Sequence, residues 1–362
     1  MSLGRLGEKR LILRLRRILG EPSARTLLGI GDDAAVIEAG GRPLVVTTDA
    51  FTEWVHFRFD YISPDQVGEK ILAATVSDCA AMGAAPRWVT IALAAPAETP
   101  IERIEALYGG LKRGASKYGC DIVGGDTISS LSDLTISLTA IGEPFGPRLL
   151  TRAGAEVGDD LYVTGRLGGA MAGLLLLENA PEKTLRPELR AAALRYLAPE
   201  ARIGAARVLA TRFPVTALID VSDGLSVDVH HLARESGVGF RIEKKRIPAE
   251  PSALRVADEL GVSRELILHH SGEEFELLFT MPPGEEDALL DALASEAGIE
   301  AARIGTVVEE GEGVLLVDEK GEGEPLLEEG YEHFRILYPE EDGEEAPEEP
   351  TGEEETGEET AH

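Results

Sequence analysis

Short apolar runs alternate with helix-length segments along most of the chain, and an aspartate closes several of those runs. Residues 43–48, PLVVTT, fit a buried strand. Residues 63–83, SPDQVGEKILAATVSDCAAMG, carry helix punctuation: Ser63 as N-cap, Pro64 at the first helical position and Gly83 as the stop. RWVTIALAAP (87–96) predicts a strand, 100–119 a second helix, and CDIVGGD (120–126) and LTISLTAIGE (134–143) two further strands. A stretch rich in Gly, Pro and charge interrupts the pattern at 144–159. The pattern then resumes with different residues. It predicts strand 160–165, a helix from near Gly168, helix 199–212, strand 215–224 and helix 226–236. Strands 239–244 and 275–281, helix 285–298 and strand 302–308 follow. The expectation is an α/β (α+β) protein with an N-terminal domain over 1–147 and a C-terminal domain over 148–338.

At 362 residues and 43% hydrophobic, the chain can bury the cores of two domains. Its net charge of −30 argues against nucleic acid, because nothing offsets phosphate repulsion. Residues 339–362 hold twelve acids and no Lys or Arg, so this tail is expected to be disordered. Two cysteines, Cys79 and Cys120, without a C-x-x-C, fit a reducing cytoplasm better than a disulfide scaffold. EKRLILRLRRILG (8–20) places Leu11, Leu15 and Ile18 on one helical face and Arg10, Arg14 and Arg17 on another. We expect a helix packed on the core there, rather than a transit or membrane-surface segment. No apolar run reaches the roughly 20 residues a membrane span needs, so no membrane partner is expected.

The aspartates raise the chemical question. Asp32 follows LLGIG, Asp49 follows LVVTT, Asp126 follows DIVGG, and Asp220 and Asp223 follow TALI in DVSDG. Each is expected at the end of an apolar strand, where open sheets put their sites. Asp78 falls on the stripe Val67, Ile71, Ala74, Asp78 of its helix and should face inward, where an unpaired charge is costly. Two carboxylates about 5 Å apart, at an effective dielectric near 20, repel by roughly 3 kcal/mol. A convergent set therefore needs cations, and no Lys or Arg cluster lies beside it in sequence. Oxygen donors without thiolates suit Mg²⁺, which commonly brings substrate phosphates. Thr47 and Thr48 add hydroxyls, and Gly124-Gly125 would let backbone approach a phosphate closely. Taken singly, each acid also reads as a turn residue or helix cap.

Other motifs exclude or offer less. P-loop and protein-kinase signatures are absent. GRLGG (165–169) at a strand–helix junction reads either as a glycine turn or as a phosphate site. The pairs His230-His231 and His269-His270 lack zinc spacing.

GIGDDAAV, TTDAFTEWVHF, VSDCAAMGAAPRW, GGDT, DVSDGLSVD and SGEEFELLF, in this order, resemble the thiamine-monophosphate kinase family over roughly residues 8–335. That family shares its superfamily with aminoimidazole ribonucleotide synthetase and selenophosphate synthetase. The resemblance implies a two-lobed aminoimidazole ribonucleotide synthetase-like fold and a homodimer through the N-terminal lobes, with ATP near that interface. It implies ATP- and Mg²⁺-dependent phosphorylation of thiamine monophosphate to thiamine diphosphate. It implies that Asp32, Thr47, Thr48, Asp49, Asp78, Asp126, Asp220 and Asp223 hold several Mg²⁺ ions, with Asp32, Asp49, Asp126 and Asp223 central to catalysis. Tyr108, Gly125, Asp126, Arg152 and Ser222 would touch ATP; His56, Glu273 and Tyr331 would meet the acceptor. Asp33 is expected only to cap or turn.

Where the family usually shows glycine-glycine-glutamate-aspartate-tyrosine, this chain has Ser271-Gly272-Glu273-Glu274-Phe275, and Cys79 stands where leucine is more usual. The Ser271 and Glu274 changes leave the acceptor preference open. An acceptor with an aromatic aminopyrimidine, a cationic thiazolium and a phosphate needs an aromatic or apolar wall and a polar group for the pyrimidine. Rival readings are a superfamily enzyme acting on a purine precursor or selenide, or a catalytically inactive dimeric scaffold. A selenide enzyme should carry a reactive Cys near its N-terminus, whereas the first Cys here is Cys79.

Overall fold

The computed structural model describes residues 3–20, 22–331 and 333. The acidic stretch 339–362 lies outside the described residues. Two helices come first, α1 (Leu3–Leu6) and α2 (Glu8–Leu19). Helix α2 forms as its periodicity predicts, and none of its residues is buried.

Arg16–Tyr331 forms one compact unit containing two sheets. The first has the order β1 (Thr26–Leu28), β2 (Ala35–Ala39), β3 (Arg42–Thr52), β6 (Thr135–Pro144), β4 (Ala84–Ala95), β5 (Asp121–Ser129). Only β4 and β5 pair in parallel. Along β6, Ile136, Leu138 and Ala140 are buried and their neighbours are not, the alternation of a sheet covered on one face. The cover is α3 (Pro64–Ala81) with α4 (Ile101–Tyr118) behind it.

Helix α3 begins as the sequence predicts: the Ser63 N–H donates to Gln66 Oε1 at 3.2 Å, one arm of a capping box, and Pro64 follows. Its 18 residues include 13 that are buried, so it is enclosed on nearly all sides. That enclosure depends on glycines. A Cβ on Gly68 would lie 2.1 Å from the Leu107 carbonyl oxygen, and one on Gly110 would lie 1.9 Å from that of Asp65. The α3 and α4 backbones are therefore in contact where they cross.

The second sheet has the order β13 (Gly323–Pro325), β12 (Val314–Val317), β9 (Val238–Glu243), β11 (Ala301–Glu309), β7 (Asp160–Thr164), β10 (Leu277–Met281), β8 (Ala217–Asp220). Its pairs are antiparallel except β12 with β9. Strands β7, β8 and β10 are buried throughout. Around them lie α5 (Gly169–Asn179), α6 (Pro187–Leu197), α7 (Ile203–Arg212), α8 (Leu225–Ser236), α9 (Pro251–Leu260), α10 (Arg264–His270) and α11 (Glu286–Ala292).

The predicted helices and strands are present with shifted ends. Helices α1, α6, α9 and α10 and strands β2, β12 and β13 fall in segments that carried no expectation, and β1 is the short strand expected before Asp32. The α5, α6 and α9 side chains share one core with Ile267 of α10, so those short helices draw their stability from one another. Strand β8 stops at Asp220, but β3 and β5 run past Asp49 and Asp126. Those two aspartates therefore sit inside strands and not at their ends.

Candidate functional site

Helix α3 presents Asp78 from its apolar stripe, as its spacing predicts. Thr47, on the covered face of β3, donates its hydroxyl to Asp78 Oδ2. Asp220, the last residue of β8, accepts from the Ser77 hydroxyl one position earlier on α3. The third carboxylate is that of Asp33. One oxygen from each of Asp33, Asp78 and Asp220 lies within 4.8 Å of the others. Asp33 therefore does more than cap a turn.

The countercharge comes from far along the chain. Arg152, in the segment joining the two sheets, donates Nε to Asp33 Oδ2 at 3.1 Å and an Nη to Asp33 Oδ1 at 2.9 Å. Its backbone N–H reaches Asp32 Oδ2 at 3.2 Å. Asp32 also takes the Asp33 N–H at 2.9 Å. The Arg152 carbonyl in turn accepts from the Ser236 hydroxyl at 3.1 Å, which ties this segment to the end of α8.

One guanidinium does not neutralise this many acids. Burial and the neighbouring Asp33 carboxylate push Asp32 up to about 7. Burial, then Asp33, push Asp220 up to about 8. Burial, followed by Asp49, Asp220 and Asp33, holds Asp78 well above the usual carboxylate range, and burial also raises Asp49. Asp220 Oδ1 is buried with no hydrogen-bond partner. An unsatisfied buried oxygen beside further carboxylates fits a hard cation, and the all-oxygen donors suit a divalent ion.

Asp126 does not join this cluster. Across the first sheet Asp49 aligns with Leu138, Ile91 and Gly125, whereas Asp126 aligns with Ala92, Ser137 and Ala50. Aligned residues share a face, so Asp126 points to the uncovered face, as Thr48 does. Asp126 accepts the Thr127 N–H at 2.8 Å. It also lines a cleft of about 400 Å³ with Tyr108, Gly124, Gly125 and Ile91. A Cβ at Gly125 would lie 1.8 Å from the Ile91 carbonyl oxygen, so only glycine fits there.

Asp223 and Ser222 lie in the turn after β8. The Ser222 carbonyl accepts the Glu273 N–H at 2.7 Å, and the Asp223 carbonyl accepts the Tyr331 N–H at 3.4 Å. Asp228, which the sequence reading left without a role, is buried in the first turn of α8. Its carboxylate accepts the Gly224 N–H at 3.0 Å, and burial and Asp223 raise its pKa.

The Ser271–Phe275 loop sends its side chains in three directions. Glu274 Oε1 accepts the Ala170 N–H at 2.9 Å, and Ser271 Oγ accepts the Met171 N–H at 3.0 Å. Two of the three loop residues that depart from the family pattern, Ser271 and Glu274, thus satisfy the first turn of α5. This also closes the phosphate reading of GRLGG, because a carboxylate already occupies that helix start. Phe275 enters the core under the first sheet, where a phenolic hydroxyl would need a partner. Glu273 alone turns back toward α3, where Oε2 receives the Lys70 ammonium at 2.9 Å. Lys70 is 1% exposed and lies 3.2 Å from the centre of the Tyr196 ring. It belongs to the stripe of Ala74 and Asp78 at four-residue spacing, so its inward position was readable. Glu273 and Phe275 have positive φ, +57° and +51°, as does Trp54 at +72°. Such conformations cost of order 1–3 kcal/mol each and gather at functional sites.

His56 uses its ring locally: Nδ1 accepts the Thr52 N–H at 3.0 Å, and the ring meets Phe51 edge-on at 5.6 Å. Its carbonyl accepts from the Tyr196 hydroxyl at 3.2 Å, which joins this turn to the Lys70–Glu273 pair. Tyr331 is 47% exposed. Among the described residues no helix is long and apolar enough to cross a membrane.

Comparison with known proteins gives the arrangement its relatives. Residues 31–143 match the family model of the AIR synthase related protein N-terminal domain, and residues 156–318 that of its C-terminal domain. A thiamine-monophosphate kinase of Aquifex aeolicus (strain VF5) is 35% identical over 334 residues, 92% of this chain and 100% of its own length. One from Mycobacterium tuberculosis (strain ATCC 25618 / H37Rv) is 40% identical over 256 residues, 71% of this chain and 74% of its own. A solved structure described as AaThiL complexed with AMPPCP and TMP superposes with a TM-score of 0.78 at 34% identity, over 92% of this chain and 99% of that one.

The raised acids make a signed prediction. Asp32 and Asp220 bind protons more readily folded than unfolded, so stability is present at low pH and is lost as pH rises through their folded values of about 7 and about 8. A bound divalent cation competes with those protons. Without divalent cations, Tm should fall by at least about 3 °C between about pH 5 and about pH 8. Added MgCl₂ should raise Tm more at the upper pH. A Tm that stays level across the window, or an equal Mg²⁺ effect at both ends, contradicts a cation-seeking cluster.

Proposed function

The chain belongs to the thiamine-monophosphate kinase family, and from that premise we propose that its buried carboxylates hold Mg²⁺ ions beside which ATP and thiamine monophosphate react. The chain is an ATP-dependent kinase: it phosphorylates thiamine monophosphate to thiamine diphosphate. The observation that carries the metal reading is the convergence of Asp33, Asp78 and Asp220 around an unsatisfied oxygen, in a chain related to these kinases over nearly its whole length.

An oxygen of the acceptor phosphate attacks the γ-phosphorus of ATP. The bond from that phosphorus to the β–γ bridging oxygen breaks, and ADP leaves with the electron pair. The attacking oxygen is already anionic near neutral pH, so no strong general base is required. The difficulty is the approach of two anions, and positioning with charge neutralisation supplies most of the rate. Mg²⁺, when bound, neutralises charge on the transferring group. Asp32, Asp49, Asp78 and Asp220, with Asp33 added, are the side chains suited to hold it, and Thr47 steadies Asp78. Thr48 and Asp126 stand on the other face, and Asp223 lies in the turn after β8. Arg152, paired here with Asp33, is the cation available to ATP phosphates. The cleft at Tyr108, Gly125 and Asp126 is our candidate for ATP, and Ser222, in the turn after β8, is a further candidate contact. Glu273, His56 and Tyr331 are our candidates for the acceptor.

We read the protein as a cytoplasmic homodimer. Cys79 and Cys120 are both free and buried, as suits a reducing compartment. The uncovered face of the first sheet carries Trp88 and Ile128, 38% and 60% exposed, on strands where an apolar face needs a partner. A second copy would cover that face and enclose Asp126. Sedimentation should give about twice 38.7 kDa, and Ile128→Glu should shift it to the monomer. A wild-type monomer contradicts the dimer.

The assigned reaction is tested by assaying thiamine monophosphate beside free thiamine, formylglycinamidine ribonucleotide and selenide. Only thiamine monophosphate should be turned over; turnover of a rival in its place would contradict the assignment. Asp220→Asn should lower kcat by at least about a hundredfold while leaving the fold intact. Near-normal turnover of that variant at saturating Mg²⁺ would contradict the metal cluster.

A further inference from the structure

Trp54 is in an unfavourable state that its own chain does not explain. It occupies the left-handed region at φ +72°, where a bulky side chain is an outlier. The residue is 62% exposed. The turn around it is well fixed: the Trp54 N–H donates to the Phe57 carbonyl at 2.8 Å, and the His56 N–H donates to that of Thr52 at 3.0 Å. Glycine would satisfy the same turn without strain. The Arg58 guanidinium carbon lies 5.3 Å from the indole ring centre. A cation–π contact at so exposed a site is too weak to offset the backbone strain.

The surroundings of Trp54 lead to the acceptor side. The Arg58 guanidinium carbon also lies 5.4 Å from the Tyr61 ring, and Tyr61 meets Tyr196 edge-on at 6.1 Å. Tyr196 in turn lies against Lys70, the partner of Glu273, and bonds the His56 carbonyl. A continuous row of rings and cations thus runs from the exposed indole to the strained glutamate. Arg58 Nε is buried without a hydrogen-bond partner, so this row also contains an unsatisfied donor.

We propose that Trp54 is a specificity residue of this chain, its indole forming the aromatic wall on which a flat heteroaromatic ring of the acceptor stacks. The inference rests on thiamine monophosphate being the acceptor. Arg58 backs the indole and fixes its plane, and the opposite face is the one that receives the ring. Stacking on an aromatic side chain needs no change in the side chain once its plane is set. A strained, rigid turn supplies that fixed plane.

The test compares wild type, Trp54→Gly and Trp54→Phe with each substrate varied in turn. Trp54→Gly should raise KM for thiamine monophosphate at least about fivefold, leave KM for ATP within about twofold, and leave Tm equal or higher. Trp54→Phe should fall between. Tryptophan emission of the wild type should change when thiamine monophosphate is added without ATP, and this response should disappear in Trp54→Phe. Wild-type turnover with an unchanged acceptor KM in Trp54→Gly overturns the proposal alone. A fall in Tm with both KM values rising together assigns Trp54 a structural role and also overturns it. If the wild type turns over no thiamine monophosphate, the assigned reaction fails and the proposal with it.

Discussion

Asp33, Asp78 and Asp220 bring carboxylate oxygens from three distant stretches within 4.8 Å of one another, and Asp32 and Asp49 raise the local charge further. Like charges at such spacing repel by a few kcal/mol per pair at an effective dielectric near 20, roughly. The scaffold holds them together. Helix α3 can carry Asp78 and Ser77 this deep because it is enclosed by the first sheet on one side and by α4 on another. That enclosure requires the bare backbones at Gly68 and Gly110. Arg152 offsets part of the charge and fastens the connecting segment to it. What remains is a partly protonated cluster with one orphaned oxygen, a site prepared for positive charge.

The Ser271–Phe275 loop shows where departures from a family pattern act in the structure. Ser271 and Glu274 face α5 and replace one way of satisfying its first turn with another. Arg195 and Arg202 hold the neighbouring Glu276, so the acids on this side are paired. Glu273 stays apart from that network, in a strained conformation, bound to a buried lysine from α3. Changes at 271 and 274 therefore act on the helix start, and the side chain that turns toward α3 is the unaltered one.

Much of this was legible in the sequence where a periodicity or a cap carried it. The inward face of Asp78 follows from helical spacing, and α3 starts at its cap and proline. The placement of Asp49 and Asp126 is not legible in the sequence, because the apolar runs end at these acids while both strands continue past them. A one-residue offset across β4 then sends Asp126 to the opposite face, information that exists only in the register. The role of Asp33 is hidden in the sequence for a related reason. Two adjacent acids look alike in sequence, and only the fold brings Asp33 within 4.8 Å of Asp78 and Asp220 and under the Arg152 side-chain fork. Lys70 shares the stripe of Asp78, and a buried lysine there was a readable signal whose partner, Glu273, lies 203 positions away.

The central claim is that the carboxylates converge in order to hold divalent cations during phosphoryl transfer. Diffraction from crystals grown with Mn²⁺ and a non-hydrolysable ATP analogue addresses it directly, because Mn²⁺ scatters anomalously and prefers the same oxygen ligands as Mg²⁺. The account predicts anomalous peaks within about 2.0–2.3 Å of carboxylate oxygens drawn from Asp33, Asp78 and Asp220. A bound nucleotide analogue with no peak at those three residues would contradict it.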